Sequence, residues 1–478
     1  MRIVIACDTF PPDINGAARF AERLAAGLVR RGHEVHVIAP AFSKVHGRFL
    51  ETHDEADIIV HRIKSVRWWP HASLRYVWPY TFQPKANRLL RSISPDAVHS
   101  QSQLIVGRYI SRAAKKQGIR LVATNHIMPE NLIRYTVIIP NWFKKTAMKL
   151  AWLDAGRVLR LADYVTTPTR RAADLLEAAS GLSGVLAISC GIDASKFANT
   201  SPTSNKPPRV LFVGRLDYEK HVHNLLKAVA SLPASLGVQI EIVGDGSERK
   251  SLTALADELG IARDVKFLGH VTEEELPRAY DRATVFAMPS IAELQSIATM
   301  EAMASGRPVV AADAMALPHL VHDGDNGYLF EPDDVEMFAD RLNRIFTADS
   351  AELERLSENS LHLIQAHDIN RTLDIFENLY RGEGADGNTT YDNLESYDQP
   401  IGLLSESLHN SVLQLRQRAR ELRGAASELR EKANDRFEEV QERLDDIRDD
   451  VVDGVKRASK KVKRGMQRAA ENFKSIDE

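Results

Sequence analysis

Cysteine is nearly absent: Cys7 and Cys190 are the only two in 478 residues. A disulfide framework is therefore not expected, and a reducing, cytoplasmic compartment suits the chain. No Cys/His cluster has the spacing of a zinc site. No apolar run reaches the roughly 18 residues that span a bilayer. The apolar start, Met1-Arg-Ile-Val-Ile-Ala6, is too short for a secretory signal and runs into a turn. Large net charge is lacking as well, at −3 overall. That balance hides an asymmetry. Residues 1–190 hold 27 Lys and Arg against 14 Asp and Glu, whereas the remainder holds 35 against 51. A basic half suits phosphates or an anionic membrane, although a solvated surface would show the same excess.

The length suits two domains with additions. Apolar runs at Arg2–Cys7, Glu34–Ala39, Ala97–Ser100, Leu121–Thr124 and Tyr164–Thr167 read as buried strands, and Ala17–Arg31 as a helix closed by Gly32. Strand–helix–strand repetition predicts a parallel, doubly wound sheet. The polar, proline-rich stretch 199–208 reads as a linker. The pattern then restarts, with strands at Arg209–Gly214, Val238–Gly244, Val265–Leu268, Val285–Met288 and Pro308–Ala311. The expected order is a Rossmann-like domain over 1–198, the linker 199–208, and a second Rossmann-like domain over 209–365. A closing helix over 366–382 returns to the first domain, followed by a flexible linker over 383–402. Over 403–478, small or apolar residues recur in steps of three and four from Leu408 to Val455, which predicts a long amphipathic helix. Two roles fit it. It can be a coiled-coil seam that makes a homo-oligomer, or a surface helix whose basic end, Lys456 to Arg468, meets an anionic membrane.

Four segments carry candidate chemistry. The turn Asp8-Thr-Phe-Pro-Pro-Asp-Ile-Asn-Gly16 leaves a strand and enters a helix, whose free N–H groups can hold an anion near Gly16. Arg215 and Lys220 follow the first strand of the second domain, where open α/β sheets bind ligands. Two cations there suit a diphosphate; ion pairs with Asp217 and Glu219 would suit the same residues. Val243-Gly244-Asp-Gly-Ser247 is another glycine turn after a strand. The fourth segment runs Met288-Pro-Ser-Ile-Ala-Glu293-Leu-Gln295-Ser296-Ile297-Ala-Thr-Met-Glu301. Its helix, starting near Gln295 or Ser296, offers N–H groups to a phosphate, and a carboxylate at Glu301 can accept hydrogen bonds from a ribose.

This fourth segment resembles the Glu-x7-Glu motif of the family 4 retaining glycosyltransferases. Gly-Arg-Leu…Glu-Lys at 214–220, Val-Gly-Asp-Gly at 243–246 and Leu317-Pro-His-Leu-Val…Gly-Asp-Asn-Gly-Tyr-Leu-Phe330 are similar to further motifs of that family. So are the first loop up to Gly16 and Thr124-Asn-His126. The resemblance covers roughly residues 1–380. It implies the α/β GT-B fold, two Rossmann-like doubly wound domains facing across a cleft, here with the amphipathic tail added.

The resemblance implies roles one position at a time. Arg215 and Lys220 would neutralise the leaving diphosphate, and Glu293 would bind hydroxyls of the donor sugar. Glu301 would hold the ribose, and the backbone of Gln295, Ser296 and Ile297 would cap the distal phosphate. Gly16 and Gly244 would border the nucleotide sugar, and His126 would orient the sugar. The first domain would take the acceptor. The donor would be a UDP- or GDP-sugar; no cofactor, metal or nucleic acid is implied, and no Asp-x-Asp metal motif lies in the expected place. Two departures stand out. Leu294-Gln-Ser296 replaces the Gly-Phe-Gly that many members carry, and His221 replaces glycine after the lysine. The Glu-Leu-Gln-Ser variant is similar to enzymes that glycosylate diacylglycerol or related lipids, which implies peripheral attachment to the inner face of the cell membrane. A mannosyl- or glucosyltransferase of soluble glycosides or polysaccharides remains open. So does an inactive scaffold of transferase fold, though intact Arg215, Lys220, Glu293 and Glu301 speak against it.

Overall fold

The computed structural model describes residues 1–67, 75–127, 144–198 and 207–384. The chain divides into two units, Met1–Glu395 and Ser396–Glu478. The tail 403–478 and most of both expected linkers lie outside the described residues.

The first sheet contains β1 (Arg2–Ala6), β2 (Glu34–Pro40), β3 (Gly47–His53), β4 (Ala56–Ile63), β7 (Ala97–Ser100), β8 (Arg120–Thr124), β9 (Tyr164–Thr167) and β10 (Leu186–Ala187); β5 (Val66–Arg67) and β6 (Arg75–Tyr76) form a separate hairpin. The strand order is β10-β9-β8-β7-β1-β2-β4-β3. Ile3 to Ala6 of β1 are fully buried, as expected of a strand covered on both faces in a parallel sheet.

One edge corrects the expectation of a purely parallel sheet, because β3 runs antiparallel to β4. Asp54 and Glu55 turn this hairpin with φ of 45° and 63°. Two successive left-handed residues make a tight hairpin turn, but the usual sequence signal is Asn-Gly or Asp-Gly. With Asp-Glu in those places, the turn leaves no such mark.

The second sheet holds β11 (Arg209–Val213), β12 (Gln239–Val243), β13 (Val265–Gly269), β14 (Val285–Met288), β15 (Val309–Ala312) and β16 (Gly327–Phe330) in the order β13-β12-β11-β14-β15-β16, with every pairing parallel. In each domain the central strand has neighbours reached in opposite chain directions. These are the switch points, β1 between β2 and β7 and β11 between β12 and β14. The loops leaving the carboxyl ends of such strands diverge and open a crevice.

After the second sheet, helices Val335–Thr347 and Ser350–Ile364 complete that domain, and helix Ile369–Arg381 crosses to the first. Phe376 packs its ring 5.9 Å from Phe20 and 4.8 Å from His99. The Tyr380 hydroxyl lies 2.6 Å from His99 Nδ1. Backbone bonds between Ile192 and both His367 and Ile369 tie the crossing down. Among the described residues, no helix is long and apolar enough to cross a membrane.

Candidate active site

Loops from the two switch points meet in the crevice. From the second domain, β11 delivers Arg215 and the short 3-10 turn Tyr218–Lys220, and β14 delivers the loop 289–296. The Lys220 ammonium pairs with a Glu293 carboxylate oxygen. Arg215 pairs with Asp217 and reaches Glu219 Oε1 at 3.1 Å. The ion pairs that could have explained Arg215 alone are therefore present for it, whereas Lys220 joins neither Asp217 nor Glu219 but turns to Glu293.

Glycine at Gly244 follows from packing. A Cβ there would lie 1.9 Å from the Gly214 carbonyl oxygen, so no side chain fits and the two strand-end loops stack backbone on backbone. In this structure the residue's role is to let the Arg215 loop sit where it does.

Ser296 caps helix Ile297–Ala304, its hydroxyl accepting from Thr299 N at 3.3 Å. The helix thus begins at Ile297 with Ser296 as its cap, in keeping with a start near Ser296 and two residues past Gln295. Across the crevice, Asn15 caps helix Gly16–Arg30 by accepting from Ala18 N. The two starts lie close together: a Cβ at Gly16 would lie 3.8 Å from Ile297 Cδ1. Each helix start carries unpaired N–H groups and about half a positive charge. Two such starts close together, with Lys220 held by Glu293 of the loop that leads into one of them, make an anion-seeking corner.

Glu301 is buried and already engaged. Arg23 Nη2 lies 2.7 Å from Oε1, and the Tyr280 hydroxyl donates to Oε2 at 3.0 Å. A carboxylate has about four acceptor positions, so two remain. The Gln295 side chain faces away from the helix start, accepting from Cys190 N at 2.7 Å and donating to Ser189 Oγ at 3.0 Å. Only its backbone is left for a phosphate. With the Thr169 hydroxyl on Leu294 O at 3.0 Å, the first domain holds the Glu293 loop by two separate grips.

His126 follows β8. Its Nε2 lies 2.7 Å from Gln101 Oε1 and its ring 5.0 Å from Phe20. The residue is half-buried, and desolvation by the surrounding protein pushes its pKa down to about 3. With Gln101 Oε1 accepting from Nε2–H, Nδ1 of the neutral ring is the acceptor.

Motif spacing does not single out Arg23, Gln101 or Gln103. All three bring buried polar atoms without a hydrogen-bond partner: Arg23 Nη1, Gln101 Nε2 and Gln103 Oε1. Such atoms are costly unless a ligand or water meets them. The available signal was position, since Gln101 and Gln103 directly follow β7 at a strand's carboxyl end.

The site can be compared with known proteins. The description "Glycosyltransferase Family 4" matches residues 14–196 and "Glycosyl transferases group 1" matches 193–362. The GDP-mannose-dependent alpha-mannosyltransferase of Mycobacterium tuberculosis is 30% identical over 66% of this chain and 79% of its own. The chain is a family 4 glycosyltransferase. The transferase is also similar to the alpha-monoglucosyldiacylglycerol synthase of Acholeplasma laidlawii, at 27% identity over 69% of this chain and 85% of that one. The fold is GT-B. The crystal structure of Anabaena HepE in complex with UDP superposes with a TM-score of 0.63 at 22% identity, covering 80% of this transferase and all of that chain.

Proposed function

We propose that this transferase moves a hexose from a UDP- or GDP-sugar to a hydroxyl group of a membrane lipid such as diacylglycerol, with retention at the anomeric carbon and without a metal. The observation that carries the proposal is the Lys220–Glu293 pair, whose loop leads into one of two neighbouring helix starts. That corner supplies fixed positive charge for a leaving diphosphate and a carboxylate for sugar hydroxyls. Glu301, with two acceptor positions left, takes the ribose.

The bond from the anomeric carbon to the diphosphate oxygen breaks as the acceptor oxygen bonds on the same face. The acceptor's proton goes to the departing diphosphate oxygen. No enzyme nucleophile is then needed, and stabilisation of developing charge is the main task; one such preorganised donor is worth about 3–4 kcal/mol. Neutral His126 orients the sugar through Nδ1. Closure of the two domains on the donor would exclude water and limit its hydrolysis.

The lipid acceptor rests on two supports, the diacylglycerol named for the Acholeplasma relative and exposed aromatics on the first domain. Trp78 is 54% and Tyr80 89% exposed. These supports favour a peripheral position on the inner face of the cell membrane, and self-association through residues 403–478 is part of the same proposal. A second reading takes mannose from GDP-mannose, the donor in the mannosyltransferase relative's name, and moves it to a soluble glycoside or polysaccharide.

The test is a transfer assay in excess EDTA with UDP-glucose and GDP-mannose, each with diacylglycerol in mixed micelles and with soluble glycosides. The expected product is an α-linked glycolipid by NMR at a rate unchanged by EDTA. Product only from soluble glycosides moves the reading to the alternative. A β-linked product, or activity abolished by EDTA and restored by magnesium or manganese, sinks the retaining, metal-free proposal. No turnover of any sugar nucleotide would leave a scaffold.

A further inference from the structure

His221, the residue that stands where many family members have glycine, occupies a left-handed conformation with φ of 46°. That conformation explains the glycine of the others, and an L side chain sits there only at a cost in strain. The imidazole is also 4% exposed, and neither ring nitrogen has a hydrogen-bond partner. Its Nδ1 lies 2.8 Å from Asp333 Oδ1, but without hydrogen-bond geometry. A strained backbone holding a buried, unsatisfied imidazole against a carboxylate lacks its third party.

His223 stands beside it, with ring centroids 5.2 Å apart. One ligand atom from each of His221, His223 and Asp333 lies within 4.8 Å of the others. We propose that these three side chains form a binding site for a zinc-class divalent cation, outside the transfer chemistry and independent of the function proposed above.

The donor set decides the class. Two imidazoles with one carboxylate suit zinc and its neighbours, whereas magnesium and calcium take oxygen ligands. Zinc bonds of about 2.0–2.2 Å need ligand atoms separated by about 3.3–3.6 Å in a tetrahedron. The Asp333 side chain, 68% exposed, can shift to meet that spacing and opens the site to solvent. Asn224 Nδ2 donates to Asp333 Oδ1 at 3.0 Å, the kind of supporting bond that orients a metal-binding carboxylate. Three protein ligands leave one position for water. Sequence spacing shows no such cluster because Asp333 joins from the turn before helix Val335–Thr347. A cation here ties that turn to the residue directly after Lys220. It clamps the loop without entering the crevice.

The full-length protein, stripped with chelator and dialysed, is titrated with zinc against a chromophoric chelator, alongside a His223→Ala/Asp333→Ala variant. The wild type is expected to take up one more zinc per chain than the variant, with affinity for that ion lowered at least thirtyfold in the variant. Zinc, but not magnesium, should raise the wild-type Tm and leave that of the variant unmoved. Circular dichroism checks the variant's fold. If it does not fold, Asp333→Asn on the exposed turn replaces it, with at least a tenfold loss expected. Equal zinc uptake by wild type and folded variant, or a Tm that zinc does not move in the wild type, overturns the proposal.

Discussion

Arg23 reaches from the first domain to Glu301 in the second, Nη2 to Oε1 at 2.7 Å, with both side chains largely buried. The carboxylate expected to hold a ribose is thus already paired across the crevice. Arg23 also keeps Nη1 without a partner, so the pair is an incomplete network that a nucleotide can finish. Hydrogen bonds to a charged group contribute roughly 1.5–3 kcal/mol each. Glu301→Gln should therefore raise the dissociation constant of the nucleoside diphosphate at least about tenfold, and Arg23→Met should raise it several-fold. Calorimetric titration reads both. Unchanged affinity in Glu301→Gln would remove the residue from the donor site.

Lys220 and Glu293 pair with each other at the same corner. Loss of one preorganised charge-stabilising group costs about 10²–10³ in kcat, so Lys220→Ala and Glu293→Gln should each cut turnover at least a hundredfold. Removing one member leaves the other partly buried and uncompensated, so a lower Tm should accompany the loss. Near-normal turnover from either folded variant excludes that residue from the reaction.

Acid should weaken the fold from near pH 6.5 downward. Burial depresses His61 to about 4, and His126 and His367 to about 3. Between those values and the unfolded value near 6.5, the unfolded chain binds more protons than the native one. Stability therefore rises with pH across that window and is lost as pH falls. Glu22 and Glu51, held low by their hydrogen bonds and charges from Arg19, Arg62 and His53, add to the loss below about pH 4.5. Urea midpoints at pH 7, 6 and 5 should fall in that order. A midpoint constant or rising toward pH 5 would mean that these rings are not enclosed.

The first domain should bind anionic vesicles. It carries the chain's basic excess and presents Phe42, Trp78 and Tyr80 to solvent, a combination suited to a headgroup boundary. Trp78→Ser/Tyr80→Ser should reduce sedimentation with anionic vesicles at least fivefold and leave transfer to a soluble acceptor unchanged. Equal binding to neutral and anionic vesicles by the wild type would defeat the electrostatic part of this idea.

The amino-acid sequence alone determined the two sheets and the family. Buried parallel strands are continuous apolar runs, and strand-end glycine turns leave local marks that need no partner to be read. The Glu293 and Glu301 spacing is likewise local to one loop and one short helix. The β3–β4 edge was not legible, because Asp54 and Glu55 take positive φ without the residues that usually announce it. Tertiary structure decided which of several nearby carboxylates each cation meets. Lys220 turns to Glu293 instead of Glu219, and Glu301 finds Arg23. These pairings join residues 73 and 278 positions apart. The same holds for Gln101 and Gln103, ordinary polar residues in the chain that become buried and unsatisfied only once β7 ends in the crevice. His221 is the sharpest case. The sequence showed a departure from glycine, but only the fold enclosed its ring and brought Asp333 to it. Through-space contacts follow from how two sheets pack, and a local pattern carries no record of that.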